Sequence, residues 1–232
     1  HNPDNYTPPP LHEFVPADVL QRAHDLIASA PKIKEAHINA EDRAAAEAAL
    51  KPLLAKAEKS KPEFDRMVVE IAKEVGIGQM LADVKGIGRA AEKLHLDYRT
   101  QPDLFGERKY QAEKMRDLLR ATIVVKSVND VQAAIKAIRE KFTLDQDEDG
   151  ERLKDKFKKP DALGYRDILI NVVLKGGTTA EIQINIPEMI AAKKLGHGLY
   201  KHSRTLRKGD PFKAELDDAQ KIIREFTRAL DN

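Results

Sequence analysis

The chain has 232 residues, 41% hydrophobic and 34% charged, with 40 basic against 38 acidic side chains and a net charge of +2. That is enough apolar material for one large domain or two small ones, and too little net charge to imply nucleic-acid or membrane binding by itself. There is no cysteine, which excludes disulfides, thiolate metal sites and cysteine nucleophiles, and no apolar run approaches the ~18 residues of a membrane span.

Residues 1–16 are Pro-rich and polar and read as an extended arm. The opening HNPDNY has neither Met nor a signal peptide, which reads as a processed product or a domain of something longer. Val19, Leu20, Ala23, Leu26 and Ile27 recur at a helical period and predict a helix over 17–30. Residues 40–58 are Ala-rich and predict a second helix. A third is predicted over 61–75, starting at Pro62, with Phe64, Met67, Val68 and Ile71 on one face.

A Gly-punctuated stretch follows, VGIGQMLADVKGIGRAAEKLHLDYR, with a helix expected over 89–98 and another over 108–117. LLRATIVVK (118–126) reads as a strand, and Ser127 as the N-cap of a helix over 128–141. Residues 143–151 are acidic and turn-like, and 152–163 are basic. Helices are expected over 187–201, with Pro187 at the first position, and over 212–230. Strands alternating with helices after a helical lead-in give an α/β or α+β class, with the boundary drawn between residues 78 and 79.

Residues 164–186, GYRDILINVVLKGGTTAEIQINI, read as a hairpin. A three-residue loop Lys175-Gly176-Gly177 pairs Leu174 with Thr178, Asn171 with Glu181, Leu169 with Gln183 and Asp167 with Asn185. The other face then collects Ile168, Ile170, Val172, Ala180, Ile182 and Ile184, and burial of that face selects this register. What remains is a polar floor centred on Glu181, either solvent-facing or functional.

A second acid, Asp117, stands just before the strand LLRATIVV, and two carboxylates from neighbouring strands can hold Mg²⁺ with phosphate oxygens completing the shell. Lys85, Arg89 and Lys93 are spaced by four and share one face if the helix starts near Gly86. Lys154, Lys156, Lys158 and Lys159 form a second basic cluster before Gly164-Tyr165, and the Tyr165 ring is placed to stack on a base.

The stretch KDKFKKPDALGYRDILI followed by EIQINIPEMIAAKKLGHGLYK resembles the synthetase domain of the RelA/SpoT family. Lys154-Asp155, Pro160, Gly164-Tyr165, Glu181-Ile182-Gln183-Ile184, Met189 and Gly196 stand at that family's spacings; Lys85, Lys93 and Asp117 match its upstream half more weakly. The resemblance implies a nucleotidyltransferase-like mixed sheet flanked by helices, and pyrophosphate transfer from ATP to a ribose 3′-hydroxyl. It implies that Asp117 and Glu181 hold Mg²⁺, that Glu181 helps deprotonate the hydroxyl, and that Lys85, Arg89 and Lys93 grip ATP phosphates. It places Lys154, Lys156, Tyr165, Asn171 and Gln183 in nucleotide binding.

Arg120, Thr122, Asp161, Asp167, Leu169 and Asn185 depart from the family pattern at positions that tend to touch the acceptor. Toxin-like relatives use adenosine nucleotides or RNA ends, so the expected acceptor is an adenine nucleotide at least as often as a guanine one, or an RNA 3′ end. The only His-Asp pair, His24-Asp25, falls in an ordinary helix rather than in a hydrolase motif. A cognate immunity protein, and delivery into the cytoplasm of a target cell, are the expected context. Two other readings stand beside this one. VKGIGRAAEKL, preceded by VGIGQML, resembles a helix-hairpin-helix DNA-binding element, and the fold could also serve an inactive nucleotide sensor.

Overall fold

A computed structural model describes residues 4–33, 38–99 and 110–228. Its core is a mixed sheet flanked by helices. β1 (Gly78–Leu81) is antiparallel to β2 (Arg120–Val124), β2 is parallel to β8 (Thr179–Asn185), and β8 is antiparallel to β7 (Ile168–Val173). The far edge of β7 is shared by β3 (Thr143–Leu144) and β6 (Leu153–Asp155). β4 (Gln146–Asp147) and β5 (Gly150–Glu151) make a separate small hairpin in the acidic stretch.

The β7–β8 register is the one the alternation predicts. Asn171 pairs with Glu181, Leu169 with Gln183 and Ile168 with Ile184. The turn closes with Leu174 N donating to Thr178 O at 2.7 Å and Gly177 N to Leu174 O at 2.9 Å. Gly176 and Gly177 have φ of 94° and 82°, a left-handed backbone that suits glycine. Ile168, Ile170, Ile182 and Ile184 are fully buried, and the helices α2 (Ala40–Val75) and α4 (Val131–Lys141) cover that face.

α2 is one helix of 36 residues where two were expected. Pro62 does not start a new helix because Leu50, Ala57, Phe64 and Ile71, each seven apart, form one continuous buried stripe. Pro52 and Pro62 both lie on the exposed side. An interior proline costs ~3 kcal/mol or more, and burial of the whole stripe offsets it. α2 thereby shares one apolar core with the sheet, α3 (Ile87–Asp97) and α4. A second cluster joins α1 (Ala17–Ser29), α5 (Pro187–Ser203) and α6 (Pro211–Arg228) through Leu26, Ala192, Leu199, Leu216 and Ile223.

Three other expectations change. The strand β1 lies in the Gly-punctuated stretch, where its four residues are too few for an alternation to show. A helix over 108–117 is absent among the described residues. Only a 3₁₀ turn, Ala112–Lys114, is present there, and 108–109 lie outside the described residues. Because VGIGQML enters β1 instead of a helix, it does not double the helix-hairpin-helix element of the alternative reading.

The N-terminal arm is docked along the free edge of β1. Tyr6 N donates to Gln79 O at 2.7 Å, and the Asn5 side chain both donates to Leu81 O and accepts from Leu81 N. This covers an otherwise unpaired strand edge. No described helix is long and apolar enough to cross a membrane.

Gly76, where α2 hands over to β1, gives a stability test. A Cβ there would stand 2.7 Å from Val124 O and 3.0 Å from Ala72 O, both backbone atoms. Gly76→Ala is expected to cost about 1–3 kcal/mol, read as a lowered urea midpoint, because neither neighbour is a flexible side chain.

Candidate active site

Two carboxylates meet where β2 begins beside β8. Glu181 N donates to Leu119 O at 2.9 Å, which sets Glu181 next to the chain two residues after Asp117. Asp117 Oδ2 accepts from Lys85 Nζ at 2.6 Å and from Lys93 Nζ at 2.7 Å. Burial alone would raise the Asp117 carboxyl. The two lysine hydrogen bonds and charges outweigh it and hold the group below its ordinary value. Lys93 is raised in turn: burial would lower it, but Asp117, Tyr98 and Glu181 together prevail. The Lys93 ammonium therefore feels both carboxylates.

Each carboxylate has one oxygen that accepts no hydrogen bond among the described residues. Asp117 Oδ1 is buried with no partner. Glu181 Oε1 accepts from Gln183 Nε2 at 2.9 Å, and Glu181 Oε2 accepts none. Two unpartnered carboxylate oxygens are the donors a hard cation takes. No group of three or more His, Cys, Asp or Glu side chains is arranged for a metal among the described residues, so further oxygens would have to come from substrate and water.

Beside the carboxylates is an open cleft of about 300 Å³ lined by Asp83, Lys85, Gly86, Arg89 and Arg120. Gly86 is the N-cap of α3, so the helix presents its unpaired N–H groups there together with three cations. Arg120 pairs with Glu181 across the sheet and shares its face.

The second basic cluster divides. Lys154 is exposed at the sheet rim, paired with Leu169, while Lys156 N donates to Asp167 O and its Nζ lies 5.3 Å from the Tyr165 ring centroid. Asn171 is buried on the floor opposite Glu181. Tyr165 itself is 9% exposed and is not the open platform the sequence suggests. Lys156, Lys193 and Arg224 all approach its ring, and its hydroxyl accepts from Asn185 Nδ2. Base stacking requires one of these cations to withdraw.

A family model described as a region found in RelA / SpoT proteins matches residues 82–205, more than half of the chain. The chain belongs to the RelA/SpoT family. The (p)ppApp synthetase toxin Tas1 of Pseudomonas aeruginosa (strain UCBPP-PA14) is 33% identical over 141 residues, 60% of this chain and 27% of that protein. The chain thus spans little more than a quarter of that relative's length. Among the solved structures that share the fold are two of particular interest. One is the complex between the Type VI effector Tas1 and its immunity protein (TM-score 0.57, 22% identity, 78% of this chain and 96% of that one). The other is the small alarmone synthetase 2 from Bacillus subtilis (TM-score 0.58, 19% identity, 78% and 93%).

The RelA/SpoT motif residues have local reasons here. Gly164 has φ of 78° in the loop before Tyr165. Gly196 lets the Arg224 guanidinium lie against α5, where a Cβ would come within 3.3 Å of it. Three departures from the RelA/SpoT pattern are internal braces. Asp161 Oδ1 accepts from Leu163 N and Tyr165 N, Asn185 Oδ1 accepts from Ile186 N, and Asp167 is 1% exposed, paired with Lys156. Lys193 and Arg224 are neighbours of the site that the sequence does not single out, and Arg120 stands out there only as a departure from the family pattern. Each is one basic residue in a basic chain, and only tertiary pairing brings it here.

Proposed function

We propose that this domain transfers pyrophosphate from ATP to the ribose 3′-hydroxyl of a nucleotide, as the toxic part of an effector. The carrying observation is the pair of half-engaged carboxylates, Asp117 and Glu181, between a cation-lined cleft and a polar floor. Lys85, Arg89, Arg120 and the start of α3 suit the ATP phosphates, and the floor around Asn171, Gln183 and Lys156 suits the acceptor. Tyr165 would meet the acceptor base once Lys156 or Lys193 moves off its ring, with Lys154 at the rim.

In the balanced step the acceptor 3′-oxygen attacks the β-phosphorus of ATP. The bond from that phosphorus to the α–β bridging oxygen breaks, and AMP leaves with the electron pair. The 3′-proton passes to the Glu181 carboxylate. Asp117 Oδ1 and Glu181 would hold Mg²⁺, which supplies charge neutralisation to the phosphates when bound. Lys85 and Lys93 stay beside Asp117 and add positive charge where the transferred group is most negative.

The likeness to Tas1 supports an adenosine nucleotide as acceptor, a cognate immunity protein as partner, and delivery as an effector; action in the cytoplasm of the recipient cell, where ATP is, is our reading. An RNA 3′ end and guanosine nucleotides are the other acceptors to test. ATP labelled at the γ-phosphate, with Mg²⁺, incubated alone and with each of AMP, ADP, GDP, GTP and tRNA, decides. The label is expected on adenosine nucleotides, ATP included, and transfer to none of the six acceptors would end the proposal. Arg89→Ala is expected to raise the KM for ATP about ten-fold with little change in kcat, since it removes a phosphate contact from uniform binding. An unaltered KM would take α3 out of the donor site.

A further inference from the structure

Glu181 and Gln183 belong to a chain of three side chains on the floor, whose far end, Lys193, the reaction scheme does not use. Lys193 Nζ, from α5, donates to Gln183 Oε1 at 2.9 Å, and Gln183 Nε2 donates to Glu181 Oε1 at 2.9 Å. The chemistry of the ends fixes the amide between them. An ammonium can only donate and a carboxylate can only accept, so the Gln183 oxygen must face Lys193 and its nitrogen must face Glu181. The amide orientation is therefore set by charge at both ends.

We propose that Lys193 is a positioning residue for Glu181, acting through Gln183. This rests on the catalytic role given to Glu181 above. The sheet neighbours of Gln183, Thr122 on β2 and Leu169 on β7, carry no charge, and although Arg120 and Lys156 are near enough for their charges to act on Lys193, neither donates to Gln183 among the described residues. The lysine backbone is held firmly, because Ala192 before it is fully buried and Leu195 packs in the α1–α5–α6 cluster. The ammonium is held from a second side, 5.7 Å from the Tyr165 ring centroid. The residue is exposed overall, yet its ammonium reaches into the floor. There desolvation lowers its pKa, while the charges of Asp167 and Glu181 oppose that shift. Lys194, one residue on, makes no such bond among the described residues and is exposed, so it serves as the control.

Without the ammonium, the amide can turn and Glu181 loses its only side-chain hydrogen bond among the described residues. Lys193→Met is then expected to lower kcat about ten-fold through misorientation, with the KM for ATP within about two-fold of the parent. Lys193→Arg should recover most of the rate, since it restores a cationic donor. Gln183→Leu should show the same loss, and the double variant should be no worse than Gln183→Leu alone, because both residues act along one path. Lys194→Met should leave the rate unchanged.

A second readout needs no turnover. The side-chain amide ¹H–¹⁵N signals of Gln183 should shift in Lys193→Met and stay in place in Lys194→Met. Unmoved signals, or additive losses in the double variant, would overturn the relay. So would a rise in acceptor KM with kcat intact, which would make Lys193 a direct acceptor contact. If the parent shows no transfer at all, the reaction assignment fails, and the amide signals still decide whether Lys193 orients Gln183.

Discussion

Glu181→Gln is expected to lower turnover by at least ~100-fold, the scale of losing a group that stabilises transition-state charge. The substitution keeps the side-chain size and one acceptor oxygen, so the hydrogen bond from Gln183 can persist. It removes the negative charge that faces Lys93 and the open oxygen that would hold a cation or take the 3′-proton. The β8 ladder is unaffected, because Glu181 N donates to Leu119 O through the backbone. Initial rates at saturating ATP measure the loss, and a thermal midpoint matching the parent's shows that the fold survives. Parent-like turnover in Glu181→Gln would remove the catalytic centre from β8 altogether.

Much of this site is legible in the sequence because its central piece is local. Two strands joined by Lys175-Gly176-Gly177 can pair in few ways, and alternation of isoleucines with Asn171, Glu181 and Gln183 leaves one register that buries the apolar face. Lys85 and Lys93 both reach Asp117, but only Lys93 does so from α3: Lys85 precedes the N-cap Gly86 and is held by its backbone N–H donating to Leu118 O at 2.9 Å, so the four-residue spacing points to the right residues without giving the reason for Lys85. The parallel pairing of β2 with β8 is not legible. Nothing in LLRATIVVK states which later strand it will lie beside, so Arg120 opposite Glu181 could not be anticipated. Arg224 is harder still, being about 60 residues beyond the Tyr165 ring it approaches. The departures at Asp161, Asp167 and Asn185 invite a reading as altered acceptor contacts. Each side chain is engaged within the chain instead: exposed Asp161 accepts from two backbone N–H groups of its loop, while buried Asn185 meets the Tyr165 hydroxyl and Ile186 N and buried Asp167 pairs with Lys156. A side chain's direction at a strand end depends on such partners and not on its type.

Asp117→Asn should cost activity on the same scale, at least ~100-fold, and should also change how stability depends on pH. The folded Asp117 carboxyl lies below its ordinary value of 3.8 because Lys85 and Lys93 overcome the effect of burial. A group depressed in this way contributes its stability in full above the unfolded pKa and loses it as pH falls through the folded one. Lys93, raised above 10.5, reports the same pair from the other side: its contribution is complete below 10.5 and is lost as pH rises through the higher folded value. The parent should therefore lose stability at both extremes. Asp117→Asn should lose less than the parent on acidification, since it has no carboxyl to protonate, and less on the alkaline side, where Lys93 no longer has its strongest partner. Urea midpoints of parent and variant across the two pH ranges give the comparison, and other titrating groups cancel in the difference. Parallel curves would mean that Asp117 and the two lysines are not coupled in solution, and the same variant with undiminished turnover would leave Glu181 as the only carboxylate with a claim on the chemistry.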